Sequence, residues 1–329
     1  MADLGILLQY AETVKKRLIA QQQSFASNLQ AVEQVWKTIK PEQLPLAAYQ
    51  IPAIEKPTQG YSIIAADSSP LELSRHRAVE LKAVSLARVY TDYQKGKETI
   101  ERKIIDLQKD DVATLSNPLL ELEFSVGAKY PAQCVLIDGS LIRWQWEQLE
   151  KATKEKLVIK YTQLLVDSYQ KHSPVLAVID RSQGRDVVDE IEKVTGQDYQ
   201  GVLDEDLFGQ VLMSNSFSPV FMASSPILKL DERYKVGFVY YKCAVRNAKS
   251  EVSGGNGGVI RIEFLLGQDL AEEAWGMLID QVNKGKGYPF VIARAHDTCV
   301  VKKKDKWLLE QTLMKYGAMS QKERLKQMG

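Results

Sequence analysis

Residues 134–140 read CVLIDGS. Four apolar residues in a row are too few for a helix, and the Asp-Gly pair that follows is a turn signal. The stretch therefore predicts a strand buried on both faces with a carboxylate at its C-terminal end. Residues 175–180, VLAVID, repeat the pattern, and residues 147–172 between them carry a helical one. Strand, helix, strand at that spacing is the unit of a parallel pair. A third strand is expected at 61–67, YSIIAAD, with Ser-Ser-Pro behind it. These three strands set the fold class as α/β, a mixed sheet with helices on both faces.

Outward from this centre, residues 3–39 predict one long helix. Leu4, Leu8, Ala11, Val14, Leu18, Phe25, Leu29, Val32 and Trp36 recur at three- and four-residue steps. Pro41 and Pro45 end it, and residues 40–60 read as a connector. Residues 71–124 are rich in helix formers, with a polar break near 108–117. A further helix is expected at 185–195. Residues 236–245 and 259–266 flank the glycines of 254–258 and predict two antiparallel strands with a long tip. A helix at 268–283 and a strand at 289–295, ending beside His296, complete the reading.

The chain has 329 residues, 45% hydrophobic and 26% charged, the balance of a globular protein with a sizeable core. No apolar run approaches the roughly 18 residues that span a bilayer, so no membrane role is expected. Cys134, Cys243 and Cys299 lack CxxC spacing, which argues against a disulfide framework or a structural zinc site and for a cytoplasmic setting. Net charge is only +1, yet from Lys284 onward eleven Lys and Arg stand against four Asp and Glu. Lys302, Lys303 and Lys304 sit inside this basic end, which reads either as a solvated tail or as a phosphate-facing patch. There is no GxxxxGK[ST], no GxGxxG after a strand, no GxSxG and no HExxH. P-loop, dinucleotide, serine-hydrolase and zincin chemistry lose their signatures.

Asp67 and Asp138 share a local design, each ending an apolar strand and followed by small residues. Either alone is an ordinary turn sequence. Together on neighbouring strands they repel unless a cation joins them, and hard divalent ions suit such a pair. Glu121 and Glu123, two apart on an expected helix, cannot both face that point. Asp180 ends a strand too and reads as a site residue, a cap or a salt-bridge partner. His296, at an apolar strand's end, reads as a metal ligand or an acid–base group. His76 and His172 read as surface residues.

The segments AADSS (65–69), LLELE (119–123), VLIDGSL (135–141), IRIEF (260–264) and GYPFVIARAH (287–296), in this order, resemble the NurA nuclease family over about residues 60–300. The resemblance implies an RNase H-like (Piwi-like) sheet and an acidic centre using Mn²⁺, or Mg²⁺, with two ions per site. It implies cleavage of single-stranded DNA and 5′→3′ degradation of single strands and duplex ends. It further implies a homodimer working with a HerA-type hexameric ATPase in end resection at double-strand breaks. Carried over by motif, Asp67, Glu121, Asp138 and His296 are metal ligands, and Tyr288 joins them as a catalytic residue. Ser68 stands where glycine is common in the family, and Asp180-Arg181 where a lysine-containing segment is expected. The organisation implied is a helix over 1–45, suited to dimerisation, a nuclease domain over 60–300 and a basic end over 301–329. The competing classes are a non-catalytic DNA-binding adaptor and another RNase H-like phosphodiesterase.

Overall fold

The computed structural model describes residues 4–39, 44, 47–49, 60–72, 82–107, 113–127, 129–244, 258–267, 272–309 and 311–312. In chain order the elements are α1 (Leu4–Thr38), β1 (Ala47–Tyr49), β2 (Ser62–Glu72), β3 (Lys82–Asp92), β4 (Lys97–Leu107), α2 (Ala113–Val126) and β5 (Cys134–Asp138). Then come α3 (Lys151–Gln170), β6 (Val175–Asp180), α4 (Asp186–Thr195), α5 (Asp204–Val211), β7 (Ser216–Phe217) and β8 (Val220–Met222). β9 (Val236–Lys242), β10 (Val259–Leu265), α6 (Glu272–Lys284) and α7 (Phe290–Cys299) follow, and a further helix covers 303–309.

The ten strands of the described residues join one sheet, ordered β1-β8-β9-β10-β6-β5-β2-β3-β4 with β7 on β9. Among the described residues only β2–β5 and β5–β6 are parallel. They are the three strands read first from the sequence, and their near-continuous apolar runs reflect burial on both faces. This mixed sheet between helices, with a long N-terminal helix in front, is the architecture expected from the sequence.

Strand parity divides the core. Ile64, Val135, Ile137 and Ala177 pack with α2, α3, α4 and α5 on one face, joined by Leu29 and Val32 of α1. Ile63, Ala65, Leu136 and Val178 pack with α6 and α7 on the other. The N-terminal half of α1 leaves Tyr10, Leu18 and Ile19 exposed. No helix among the described residues is long and apolar enough to cross a membrane.

Four expectations need correction. Residues 82–107 form the hairpin β3–β4 rather than helix. β4 (KETIERKIIDL) is a sheet edge, where charged residues are favoured because they discourage further pairing, and that composition imitates a solvated helix. The segment before His296 is helix α7, not a strand. Val291, Ile292, Ala295 and Cys299 are buried at helical steps, and packing on β2 and β3 outweighs the β-propensity of Val-Ile. Asp67 does not end its strand, because β2 stays paired with β3 through Glu72. The stretch read as a connector contains the short strand β1. The tip residues 254–257 and the end from 313 lie outside the described residues.

Candidate active site

Pairing of β2 with β5 stops at Ala66–Ile137, while β2 runs on alongside β3. Beyond that point β2 has lost the neighbour on its β5 side, and the next residue of each strand, Asp67 and Asp138, borders the gap. Parity places Asp67 with Ile63 and Ala65, and Asp138 with Cys134 and Leu136, so both carboxylates belong to the α6–α7 face. Gly139 makes the turn after Asp138 at φ 84°, a left-handed value that glycine adopts without strain.

Helix α7 lies across β2 and brings His296 and Cys299, three residues apart on one helical face, onto Asp67. His296 Nδ1 is 2.8 Å from Asp67 Oδ2, and Cys299 Sγ is 3.3 Å from the same oxygen. Asp67 Oδ1 accepts the Ser68 backbone N–H at 2.7 Å. Tyr288, just ahead of α7, donates its hydroxyl to Asp138 Oδ1 at 2.6 Å. From the opposite face α2 contributes Glu121, which accepts the Ser68 hydroxyl. Ser68 thus ties Glu121 to β2.

Glu121 and Glu123 separate as two residues two apart on a helix must. Glu121 is buried, whereas Glu123 turns away to Lys160 at 2.5 Å. Burial pushes Glu121 up to about 7; the Ser68 hydroxyl and the nearby Arg143 oppose the rise, and Asp67 and Asp138 add to it. Burial also raises Asp138, with Asp67 adding and the Tyr288 hydroxyl and His296 opposing. Burial and then Asp138 hold the Tyr288 phenol well above its usual range.

Among the described residues no Lys or Arg forms an ion pair with Asp67, Glu121 or Asp138, and Arg143 spends a guanidinium nitrogen on Tyr161 at 2.7 Å. Three converging carboxylates, of which Asp67 and Asp138 add to the elevation of Glu121, with one imidazole beside them, are a donor set suited to a hard divalent cation.

Asp180 is exposed at the end of β6, close enough to add to the elevation of Tyr288. Lys302, Lys303 and Lys304 are exposed beyond α7 and hydrogen-bond none of the acids. The structure thus gathers Asp67, Glu121, Asp138, Tyr288 and His296, and leaves the three lysines at the surface.

Two contributors escaped the sequence reading. Cys299 has no CxxC partner, and its step from His296 is legible only once 290–299 is read as helix. Glu263, one face apart from its apolar neighbours in IRIEF, is buried and accepts the Ser140 hydroxyl at 2.6 Å and the Leu141 N–H at 2.8 Å. It holds the turn that carries Asp138.

A family model described as the NurA domain matches residues 61–301. Among solved structures, the crystal structure of the NurA nuclease from Sulfolobus solfataricus aligns at 17% identity with a TM-score of 0.55, covering 93% of this chain and 98% of that one. A crystal structure of NurA with manganese aligns at 12% identity and TM-score 0.44, covering 92% and 97%. Another, of NurA bound to dAMP and manganese, aligns at 14% and 0.41, covering 90% and 94%. No curated protein matches the chain in sequence.

Proposed function

The chain belongs to the NurA family of metal-dependent nucleases, and we propose that it hydrolyses DNA phosphodiesters at the cluster of Asp67, Glu121 and Asp138. The observation that carries this reading is the convergence of three carboxylates from two strands and a helix, with no Lys or Arg among the described residues paired to them. Asp67, Glu121, Asp138 and His296 would hold Mn²⁺, with Mg²⁺ as the alternative. Three carboxylates offer six oxygens, enough for two hard ions whose shells are completed by water. Bound there, a divalent ion polarises the phosphodiester and makes water a usable nucleophile near neutral pH.

The residues divide the remaining work. Tyr288 fixes the orientation of Asp138 through its hydroxyl. His296 is turned by its Nδ1 contact with Asp67 Oδ2, which leaves Nε2 of this exposed imidazole as the atom that would hold the metal ion. Ser68 steers Glu121 toward the same opening. Glu263, by fixing Ser140 and Leu141, keeps the Asp138 turn in place.

The finer reading is cleavage of single-stranded DNA and 5′→3′ degradation of single strands and duplex ends, in end resection with a HerA-type hexameric ATPase. Two surface features support it. The exposed Tyr10, Leu18 and Ile19 on the half of α1 that leaves the body suit pairing with a second chain, as a homodimer requires. The exposed lysines 302–304 lie past the helix that carries His296, where a DNA backbone leaving the site would find positive charge. Replacing them should lower the salt dependence of DNA binding, and an unchanged dependence would leave them a solvated surface.

The direct test is cleavage of a labelled DNA strand, beside RNA of the same sequence, with Mn²⁺, Mg²⁺, Ca²⁺ or EDTA and with Asp67→Ala. Cleavage of DNA that needs Mn²⁺ or Mg²⁺ and fails in Asp67→Ala is expected. DNA binding without cleavage under every ion would favour the adaptor reading. Preference for RNA would favour another RNase H-like phosphodiesterase.

A further inference from the structure

Glu121 and Asp138 offer hard oxygens near Asp67, whereas α7 offers a nitrogen and a sulfur. Cys299 Sγ lies 3.3 Å from Asp67 Oδ2, and His296 Nδ1 lies 2.8 Å from the same oxygen. The three donor atoms all fall within 4.8 Å of one another. Two of them come from one face of a rigid helix, at positions i and i+3, and the third from the middle of a central strand. Such a set is preorganised: bringing the ligands together needs side-chain adjustments of well under a helical turn.

We propose that Asp67, His296 and Cys299 form a site for a thiophilic divalent cation, Zn²⁺ foremost, that competes with the hard ion for Asp67. The chemistry follows from the donors. Tetrahedral Zn²⁺, with Zn–S of about 2.3 Å and Zn–N and Zn–O of about 2.0 Å, sets its ligand atoms roughly 3.3–3.6 Å apart. The two contacts to Asp67 Oδ2, 2.8 and 3.3 Å, lie just below and at the lower end of that range. Mn²⁺ and Mg²⁺ prefer oxygen and gain little from sulfur, whereas one thiolate beside an imidazole shifts preference toward zinc. Cys299 is fully buried, while the His296 side chain is 59% exposed, so a cation reaches the sulfur from the imidazole side. On binding, the cation takes the place of the thiol proton, which leaves to solvent, and a water completes the fourth position. Asp67 turned toward this ligand set is lost to Glu121 and Asp138, so zinc acts as an inhibitor held by the chain's own cysteine.

The inhibitory part rests on the nuclease reading; the binding part does not, and the experiment separates them. Co²⁺ reports thiolate ligation directly, through a sulfur-to-cobalt charge-transfer band in the near ultraviolet. The full-length protein titrated with Co²⁺ should develop that band at one equivalent, and Zn²⁺ should remove it. Cys299→Ser should lack the band, with Zn²⁺ affinity lowered by about 10–100-fold or more, since even outer-shell partners of a metal site cost that much. Cys134→Ser, a change at another buried thiol, should keep the band. A wild-type protein that binds Co²⁺ without a thiolate band, or a band retained in Cys299→Ser, overturns the site; the wild-type spectrum decides this even if the variant fails to fold. A band with no DNA cleavage under Mn²⁺ would instead count against the nuclease reading. Cleavage that Zn²⁺ leaves untouched, with the band present, would overturn the competition.

Discussion

Two clusters of acids lie on either side of the strand end of β5, and they are resolved in opposite ways. In the first, Asp67, Glu121 and Asp138 face one another with no ion pair to Lys or Arg among the described residues. In the second, Glu263 and Asp186 flank Arg261, whose Nε donates to Glu263 at 2.9 Å and Nη1 to Asp186 at 2.5 Å. Phe238 stacks under the guanidinium at 3.9 Å. Both clusters are substantially buried, and burial of carboxylates without a counter-charge is costly. The second carries its cation in the sequence; on the proposed reading the first takes its cation from solution. Glu263 links the two, because the carboxylate that pairs with Arg261 also holds the turn after Asp138.

Removing a carboxylate from each cluster should therefore have unlike consequences. The largest effect is expected for Asp138→Asn, which should lower DNA cleavage by on the order of a thousandfold or more. The metal-free variant should melt no lower than the wild type, because one of three mutually repelling acids is neutralised. Thermal melting in EDTA beside a cleavage time course measures both. A variant that cleaves normally would break the comparison at its first member.

In the second cluster the change to make is on the cation. Arg261→Met leaves Glu263 and Asp186 unpaired in the interior and should lower stability by about 3–5 kcal/mol, the range for breaking a buried pair. Urea unfolding reads this, and a loss below about 1 kcal/mol would mean that the guanidinium is not what balances these acids. The link between the clusters is tested by Glu263→Gln, with Mn²⁺ affinity expected to fall by about 10–100-fold as the Asp138 turn loosens. Unchanged affinity would separate the clusters.

The smallest effect is a slope. Asp204 is fully buried beside Arg261, accepting the backbone N–H groups of Val187 and Val188 and the Tyr240 hydroxyl. Burial raises its pKa to about 7, against the opposing pull of those N–H groups and Arg261. The folded state then holds a proton that the unfolded chain has released between roughly pH 4 and 7. Stability contributed by this group is present below that window and is lost as pH rises through it, by at most about 1.4 kcal/mol per pH unit. Asp204→Asn should flatten that part of the stability profile, and a slope unaltered by the substitution would assign it to other groups.

The contrast also explains what could be read in advance. YSIIAAD, CVLIDGS and VLAVID are buried on both faces, so hydrophobic runs bounded by turn residues announce them together with the acids at their ends. Glu121 was legible as one of two, since helical geometry excludes a shared face but gives no sign of which face meets the sheet. The hairpin β3–β4 was not legible, because an edge strand such as KETIERKIIDL is charged for reasons of negative pairing and loses its alternation. Helix α7 was hidden by Val-Ile next to Pro289, and with it the step from His296 to Cys299. Glu263 and Arg261 share a strand face in IRIEF, but their partners Ser140 and Asp186 are 123 and 75 residues away, a separation no local pattern encodes.

The central claim is that the first cluster takes its cation from solution. Calorimetric titration of Mn²⁺ into the metal-free full-length protein, beside Asp67→Asn, tests it most directly. Saturable binding in the wild type that is lost or weakened by at least about tenfold in Asp67→Asn is the result predicted. Equal binding by both proteins, or none by the wild type, would contradict it.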